Sequence, residues 1–222
     1  MADAKSDDPQ RHGVGLIMAE GFGVSAVGGN RTSPIDPEHA KSRFHPTPGG
    51  AGEALLGKFP MTKVWECACG DGALSRVLAA SGARVLSTDL VDRGFGRGGQ
   101  DFLKIMRMPA DDVDICTNPP FDLAEDFIRH AVLTLKARRL FLLLKATYWH
   151  AEKRLRLWED CRPSWNCPLT FRLDFTGAGS PTMELAWFVW DREDPGEECR
   201  FYPLRENGGR PKKVRKSKWD II

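Results

Sequence analysis

One stretch, residues 64–78, constrains the fold more than any other part of the chain. It begins with apolar residues that suit a strand covered on both faces, and Gly70 and Gly72 then permit a tight turn and the close approach of a ligand. Apolar residues recur at helical spacing over residues 74–78, and Gly82 can end that helix. A strand whose carboxyl end feeds a helix in this way is where open α/β sheets hold a nucleotide-like ligand.

Runs of apolar or alternating residues predict further strands at residues 83–90, 111–121, 138–149, 169–177 and 183–191. A right-handed crossover places the first of these beside the strand that begins at Val64, and parallel to it. The most apolar of them, 138–149, is expected in the centre of the sheet. The last two form a hairpin that closes one edge. The predicted fold class is α/β, a mostly parallel twisted sheet with helices on both faces and an antiparallel edge hairpin.

A helix is predicted directly after the strand at residues 111–121. Two of its residues, Asp122 and Glu125, have the spacing of a capping box, in which side chains satisfy the backbone N–H groups of the first turn. Its apolar residues Leu123, Phe127 and Leu135 fall on one face. We therefore expect that face to cover the sheet.

Composition divides the chain into three parts. Residues 1–43 contain many glycines and helix breakers but no sustained period, which predicts a flexible arm. Its glycine-rich stretch 13–23 superficially resembles a dinucleotide-binding loop, but no strand precedes it and no helix follows. Residues 44–191 carry the predicted strands and helices, and residues 192–222 form a charged, basic tail. A chain of 222 residues accommodates one α/β domain with two such tails.

Net charge and cysteine usage narrow the class of protein. Lys and Arg number 32 against 30 Asp and Glu, so attraction to nucleic acid must come from local clusters. No apolar run approaches the roughly 20 residues that a membrane helix needs, and the polar start does not resemble a signal peptide, so we expect a cytoplasmic protein without a membrane partner. The six cysteines are expected to be reduced and mostly buried. Zinc binding by Cys161 and Cys167 is the less favoured alternative, and we expect no metal.

Chemistry-bearing motifs follow the strands in order: Glu66, Ala68, Gly70 and Gly72 at alternate positions, then Asp89, then Asp101, then TNPPF at residues 117–121. This combination resembles class I S-adenosylmethionine-dependent methyltransferases. Asn-Pro-Pro followed by an aromatic residue resembles their amino-methyltransferase branch, which includes adenine methyltransferases of DNA and small phage and prophage enzymes. The resemblance covers residues 43–191, although Ala68 stands where many relatives have the first glycine. It implies a Rossmann-like methyltransferase fold.

The resemblance also implies S-adenosylmethionine as the cofactor. Asp89 would accept hydrogen bonds from both ribose hydroxyls, and Asp101 would accept one from the adenine amino group. The residues expected to bind the cofactor are Thr47, Pro48, Glu66, Ala68, Cys69, Gly70, Asp71, Gly72, Asp89, Leu90, Asp101 and Phe102. Two alternatives stay open: the turn could bind another nucleotide, and Glu66 could only cap the turn.

The TNPPF motif predicts the reacting end of the site. The side-chain oxygen of Asn118 and the carbonyl of Pro119 can accept the two N–H groups of a planar amine, which aims the nitrogen lone pair at a methyl group. Pro120 stiffens the turn, and Phe121 can stack on the target ring. No strong base is needed, because the methylated amine is acidic. A proline turn followed by a core phenylalanine is the alternative.

These residues together predict a methyltransferase that acts on the exocyclic amine of adenine in DNA. Cytosine, RNA and a protein glutamine present a similar planar amine and are the alternatives, as is a DNA-binding relative without activity. Substrate contacts are predicted at Lys145, Tyr148 and Trp149 after the central strand, although a buried aromatic beside a solvated helix explains them equally well. Further contacts are predicted at Arg210, Lys212 and Lys213, where GGRPKKVRK resembles an AT-hook core or a generic solvated tail. The oligomeric state is left open.

Overall fold

A computed structural model describes residues 47–174 and 183–206. The predicted flexible arm and the predicted contacts Arg210, Lys212 and Lys213 lie outside the described residues. Within the described part, no helix has the length and apolar character that crossing a membrane would require.

The described residues form a seven-stranded sheet in the order β2-β1-β3-β4-β6-β5-β7. The strands are β1 (Lys63–Glu66), β2 (Arg84–Ser87), β3 (Asp114–Thr117), β4 (Arg139–Lys145), β5 (Trp165–Pro168), β6 (Leu185–Asp191) and β7 (Arg200–Phe201). Strands β1 to β4 are parallel, as are β5 and β7, whereas β6 runs antiparallel to both of its neighbours. The α-helices are α1 (Gly49–Leu56), α2 (Ala73–Ala80), α3 (Ala124–Arg129) and α4 (Leu155–Asp160). The predicted α/β class, mostly parallel sheet and antiparallel pairing are confirmed.

The central strand β4 is buried on both faces, as the sequence predicts. Leu140, Leu142 and Leu144 pack into one core cluster with α3, and Phe141 and Leu143 pack into a second cluster with α1 and α2. Because successive side chains of a strand point to opposite faces, one apolar strand serves both cores. Helices therefore cover both faces of the sheet.

The predicted antiparallel pair is present, but its first strand lies earlier in the chain than the sequence predicts. Strand β5 is Trp165–Pro168, upstream of residues 169–177, and β6 lies between β4 and β5 and not at the edge. The apolar β6 pairs along its whole length with β4, which gives its side chains cover on both faces. Beyond β5, Leu169 forms an isolated bridge with Leu204, and its amide donates to the Leu185 carbonyl at 3.0 Å. The chain after Asp191 contributes β7, so the sheet continues into the segment that the sequence assigns to the tail.

The predicted capping box does not form. Helix α3 has Leu123 at its N-cap position with no side-chain hydrogen bond, and the Leu123 amide donates to the Pro120 carbonyl at 2.9 Å. Glu125 instead accepts a hydrogen bond from Arg129 at 3.0 Å, one helical turn away. The proline turn thus leads directly into the helix and fixes its start.

Asp114, at the start of β3, is a fully buried carboxylate that ties two strands together. One of its oxygens accepts hydrogen bonds from Arg138 at 2.8 Å and from Arg139 at 3.0 Å. Because Arg139 begins β4, the ion pair fixes the ends of two neighbouring strands opposite the rim that carries the TNPPF motif.

We expect Asp114→Ala to lower the free energy of unfolding by about 2 to 4 kcal/mol, because it leaves two guanidinium groups without their buried partner while both keep some contact with water. Urea denaturation measures the change. Asp111→Ala, at an exposed position three residues earlier, is the control and should stay within about 0.5 kcal/mol of the parent. Equal midpoints for the two variants would contradict this role of Asp114.

Candidate active site

The carboxyl ends of β1, β2 and β3 open into a cleft of about 930 Å³, part of it continuous with solvent. The cleft brings together most of the residues that the sequence predicts for cofactor and target: Thr47, Glu66, Ala68, Cys69, Asp71, Asp89, Leu90, Asp101, Phe102, Asn118, Pro119, Pro120 and Phe121. Three predicted cofactor residues, Pro48, Gly70 and Gly72, do not line it.

The glycine turn supports the cleft through its backbone. Gly70 and Gly72 have φ angles of 57° and 84°, in the left-handed region that side chains disfavour. A Cβ atom at Gly72 would also lie 2.4 Å from the ring of Phe95. Glycine at position 72 is therefore required both by the turn and by the packing of the loop that follows β2.

Asp89 is held rigidly at the end of β2. Its Oδ2 accepts a hydrogen bond from the Gly70 amide and its Oδ1 accepts one from the Val91 amide, each at 2.8 Å. A carboxylate has about four lone-pair sites, so each oxygen keeps capacity for one more donor. Since the side chain is only 9% exposed, that capacity is directed toward the cleft that it lines.

Asp101 caps a short 3₁₀ helix, Phe102–Lys104, that closes another side of the cleft. Its Oδ1 accepts a hydrogen bond from the Leu103 amide at 3.2 Å, and Lys104 pairs with its other oxygen at 3.1 Å. The ring of Phe102 is buried and stacks on Phe127 with 4.6 Å between centroids. The packed phenylalanine thus anchors the carboxylate at its place in the cleft.

Asn118 and Thr47 meet across 71 residues of sequence. The Asn118 side-chain nitrogen donates to Thr47 Oγ1 at 3.1 Å, so the amide oxygen is the opposite end of the group. Thr47 is buried, and Pro119 is buried beside Asn118. The Nζ atom of Lys145 lies 5.4 Å from the ring centre of Phe121. Thr47 therefore orients the TNPPF amide, a contact that the sequence did not predict.

Glu66 is a buried carboxyl group in the wall of the cleft. It is 2% exposed and accepts a hydrogen bond from Ser75 of α2, whose oxygen lies 2.6 Å from the Ser87 oxygen of β2. The pKa of Glu66 is raised to about 8. Burial away from water is the largest cause, hydrogen bonds from Ser75 oppose it, and the nearby Asp89 and Asp71 carboxylates contribute smaller increases.

The structure does not bring Tyr148 and Trp149 to the cleft. A 3₁₀ turn after β4 folds Tyr148 back into an aromatic cluster, with its ring 5.8 Å from Trp158 and the Arg154 guanidinium 3.9 Å above it. Burial raises the pKa of Tyr148 to about 12. The predicted substrate contact at Tyr148 conflicts with this placement, because apolar packing against β6 outcompetes exposure at the rim. Lys145 is exposed at the carboxyl end of β4.

Several residues that line the cleft carry no recognisable sequence signal: Cys67, Ala73, Leu74, Arg93, Gln100, Leu103, Leu123 and Phe127. Most are apolar and look like ordinary core residues in sequence. The cysteines are free thiols, all buried apart from the half-buried Cys199. Among the described residues, no group of three or more His, Cys, Asp or Glu side chains could hold a metal ion.

Comparison with known proteins supports the fold. The sequence matches no protein-family model and no curated protein. A structure from Vibrio vulnificus, provisionally assigned as a modification subunit of a type I restriction enzyme, is 14% identical with a TM-score of 0.52; the match covers 75% of this chain and 48% of that one. The chain thus spans about half the length of that protein. A Pyrococcus horikoshii structure, provisionally assigned as an RNA methyltransferase, is 13% identical with a TM-score of 0.51 over 71% of this chain and 89% of that one. The chain has a Rossmann-like methyltransferase fold.

Proposed function

We propose that this chain is an S-adenosylmethionine-dependent methyltransferase that acts on the exocyclic amino group of adenine in DNA. The observation that carries the proposal is a single cleft lined both by Asp89 and by the TNPPF residues Asn118 to Phe121. A methyl donor and an acceptor amine must meet within one site, and these two sets of residues are suited to the two partners.

The charge of the cleft favours this cofactor over a phosphate-bearing nucleotide. Four carboxyl groups line it, those of Glu66, Asp71, Asp89 and Asp101, against the single guanidinium of Arg93 among the lining residues. Phosphates would be repelled by this arrangement, whereas a ligand with a sulfonium and an ammonium group is attracted. The alternative of another nucleotide at the glycine turn is therefore disfavoured.

The residues fit the cofactor at three points. Asp89, fixed by two backbone amides, has lone pairs for the ribose hydroxyls, and Asp101 is held where an adenine amino group would meet it. Thr47 lines the cleft beside Asn118 and offers a polar side chain to the amino-acid end, whereas Pro48 does not line the cleft. When bound, S-adenosylmethionine supplies an electrophilic methyl group on sulfur.

Asn118 and Pro119 position the acceptor amine. Because the Asn118 nitrogen donates to Thr47, the amide oxygen is the end that meets a substrate N–H group. The Pro119 carbonyl accepts the second N–H, and the two acceptors direct the nitrogen lone pair. Phe121 lines the cleft and offers a ring for the extruded base, since stacking contributes about 1 to 3 kcal/mol per base.

RNA is the second candidate substrate. The Pyrococcus horikoshii structure is provisionally assigned as an RNA methyltransferase. The two proposed acceptors, Asn118 and Pro119, contact the amine of the base and so do not distinguish DNA from RNA. Incubation with labelled cofactor and unmethylated DNA or RNA, followed by nucleoside analysis, separates these substrates and also reveals methylated cytosine. Label in protein glutamine would indicate a protein substrate. Absence of 6-methyladenine across varied DNA sequences would reject the DNA proposal.

We expect Asn118→Ala to lower kcat by about 100-fold or more, because the amine loses one of its two acceptors in the transition state. Cofactor affinity, measured by calorimetry, should change little. The exposed neighbour Asp122→Ala serves as a control and should keep nearly full turnover. Normal turnover by Asn118→Ala would remove the basis of the assigned mechanism.

Asp89→Ala should weaken cofactor binding by about 10- to 100-fold, because hydrogen bonds to a charged acceptor contribute about 1.5 to 3 kcal/mol. Thermal melting without ligand shows whether the variant is folded, and binding to DNA without cofactor should stay the same. A folded variant with parental cofactor affinity would show that Asp89 does not contact the ligand.

Deletion of the residues after Glu206 removes Arg210, Lys212 and Lys213 and should lower DNA affinity. Each lost phosphate contact reduces the slope of log affinity against log salt by about 0.9 on duplex DNA. A full-length variant with serine at these three positions is the matched control for chain length. It should show a similar loss of DNA affinity and a similar reduction of the slope. Unchanged slopes in both proteins would show that the tail does not touch DNA.

A further inference from the structure

Two carboxyl groups of the cleft, Glu66 and Asp71, have no role in the proposed reaction, and Glu66 is the buried one of the two. It stands at the end of β1 and is joined through Ser75 of α2 to Ser87 of β2. Three secondary-structure elements therefore converge on this acid, and their hydroxyl groups form a continuous hydrogen-bonded chain that ends at a group lining the cleft.

Such a chain of hydroxyls can serve either protonation state of the acid. When Glu66 is ionised, Ser87 donates to Ser75 and Ser75 donates to the carboxylate. When Glu66 is protonated, its O–H donates to Ser75 and Ser75 donates to Ser87. Because each hydroxyl both donates and accepts, the reversal needs only rotation of O–H bonds. Glu66 and Ser75 therefore stay hydrogen-bonded whether the acid holds its proton or loses it.

The surroundings of Glu66 favour the protonated state before a ligand binds. Asp71 in the glycine turn and Asp89 after β2 repel a negative charge on Glu66. The buried thiols Cys67 and Cys69, which follow β1, and Cys116 on β3 carry no positive charge that would compensate it. Arg93 is the only cation among the residues that line the cleft. With a pKa of about 8, Glu66 is about nine-tenths protonated at pH 7.

We propose that binding of the cofactor's cationic amino group in this cleft expels the proton of Glu66, so that cofactor binding is coupled to proton release. The inference rests on the proposed cofactor. The O–H bond of the acid breaks, the proton passes to solvent, and the carboxylate that remains pairs with the ammonium group of the ligand. Without ligand, Glu66 is a neutral acid, so the free protein does not hold a third negative carboxylate beside Asp71 and Asp89. With ligand bound, Glu66 forms an ion pair.

Calorimetry of the full chain with S-adenosylhomocysteine tests the coupling. Titrations at pH 7 in buffers with different ionisation enthalpies give the number of protons released, and we expect the parent to release close to one more proton than Glu66→Gln. Subtracting the variant removes any contribution from the ligand's own amine. 5′-Methylthioadenosine, which lacks the amino-acid part, should release no such proton from either protein.

A ligand-free measurement checks the same group independently. The folded protein holds the Glu66 proton up to a pKa of about 8 and the unfolded chain only up to about 4.5, so the folded state binds more protons between these values. Stability of the parent should therefore fall as pH rises from 5 to 8. The urea midpoint of Glu66→Gln relative to the parent should rise over this window.

The outcomes are distinguishable. Failure of S-adenosylhomocysteine to bind at all would overturn the proposed function together with this inference. Binding with equal proton release by the parent and Glu66→Gln would overturn this inference alone. If Glu66→Gln does not fold, the two ligands are compared on the parent protein alone. Equal proton release with S-adenosylhomocysteine and 5′-methylthioadenosine would contradict the coupling.

Discussion

The parallel backbone ladder of β1, β2 and β3 is the constraint on which the rest of the structure depends. Its register pairs Glu66 with Ser87 and Trp65 with Ile115, so that the three strands end close to one level. In a parallel sheet, the residues that follow the carboxyl ends of the strands lie along one edge. A shift of one residue in any strand would move these side chains to the other face of the sheet and dismantle the cleft.

The strand ends are fixed by contacts that cross between neighbouring segments. The Trp65 indole donates to Thr88 Oγ1 at 2.9 Å beneath the cleft, and the Cys69 amide donates to the Thr88 carbonyl at 3.0 Å. Together with the bond from Gly70 to Asp89, these contacts tie the glycine turn to the end of β2. The rigidity of Asp89 is thus a property of two strands and one turn together.

Two sets of side chains line the cleft. Carboxyl groups gather at the ends of β1 and β2, and Asn118 with its prolines and Phe121 follows β3. Thr47 lines the same cleft and accepts a hydrogen bond from Asn118. In the proposed function, a cationic donor and a planar acceptor amine meet these two sets of side chains within one cleft, where electrostatic interactions are stronger than in water.

Local sequence determined much of this arrangement. Three local features follow from short-range stereochemistry: the continuous apolar run of β4, the glycines that permit left-handed backbone at Gly70 and Gly72, and the acids placed just after strands. They predict both the fold class and most of the cleft lining. Only the tertiary structure decided the insertion of β6 beside β4, the burial of Tyr148, the bond between Asn118 and Thr47, and the raised pKa of Glu66. These depend on which distant segments pack together and how completely they exclude water, and a local pattern does not contain that information.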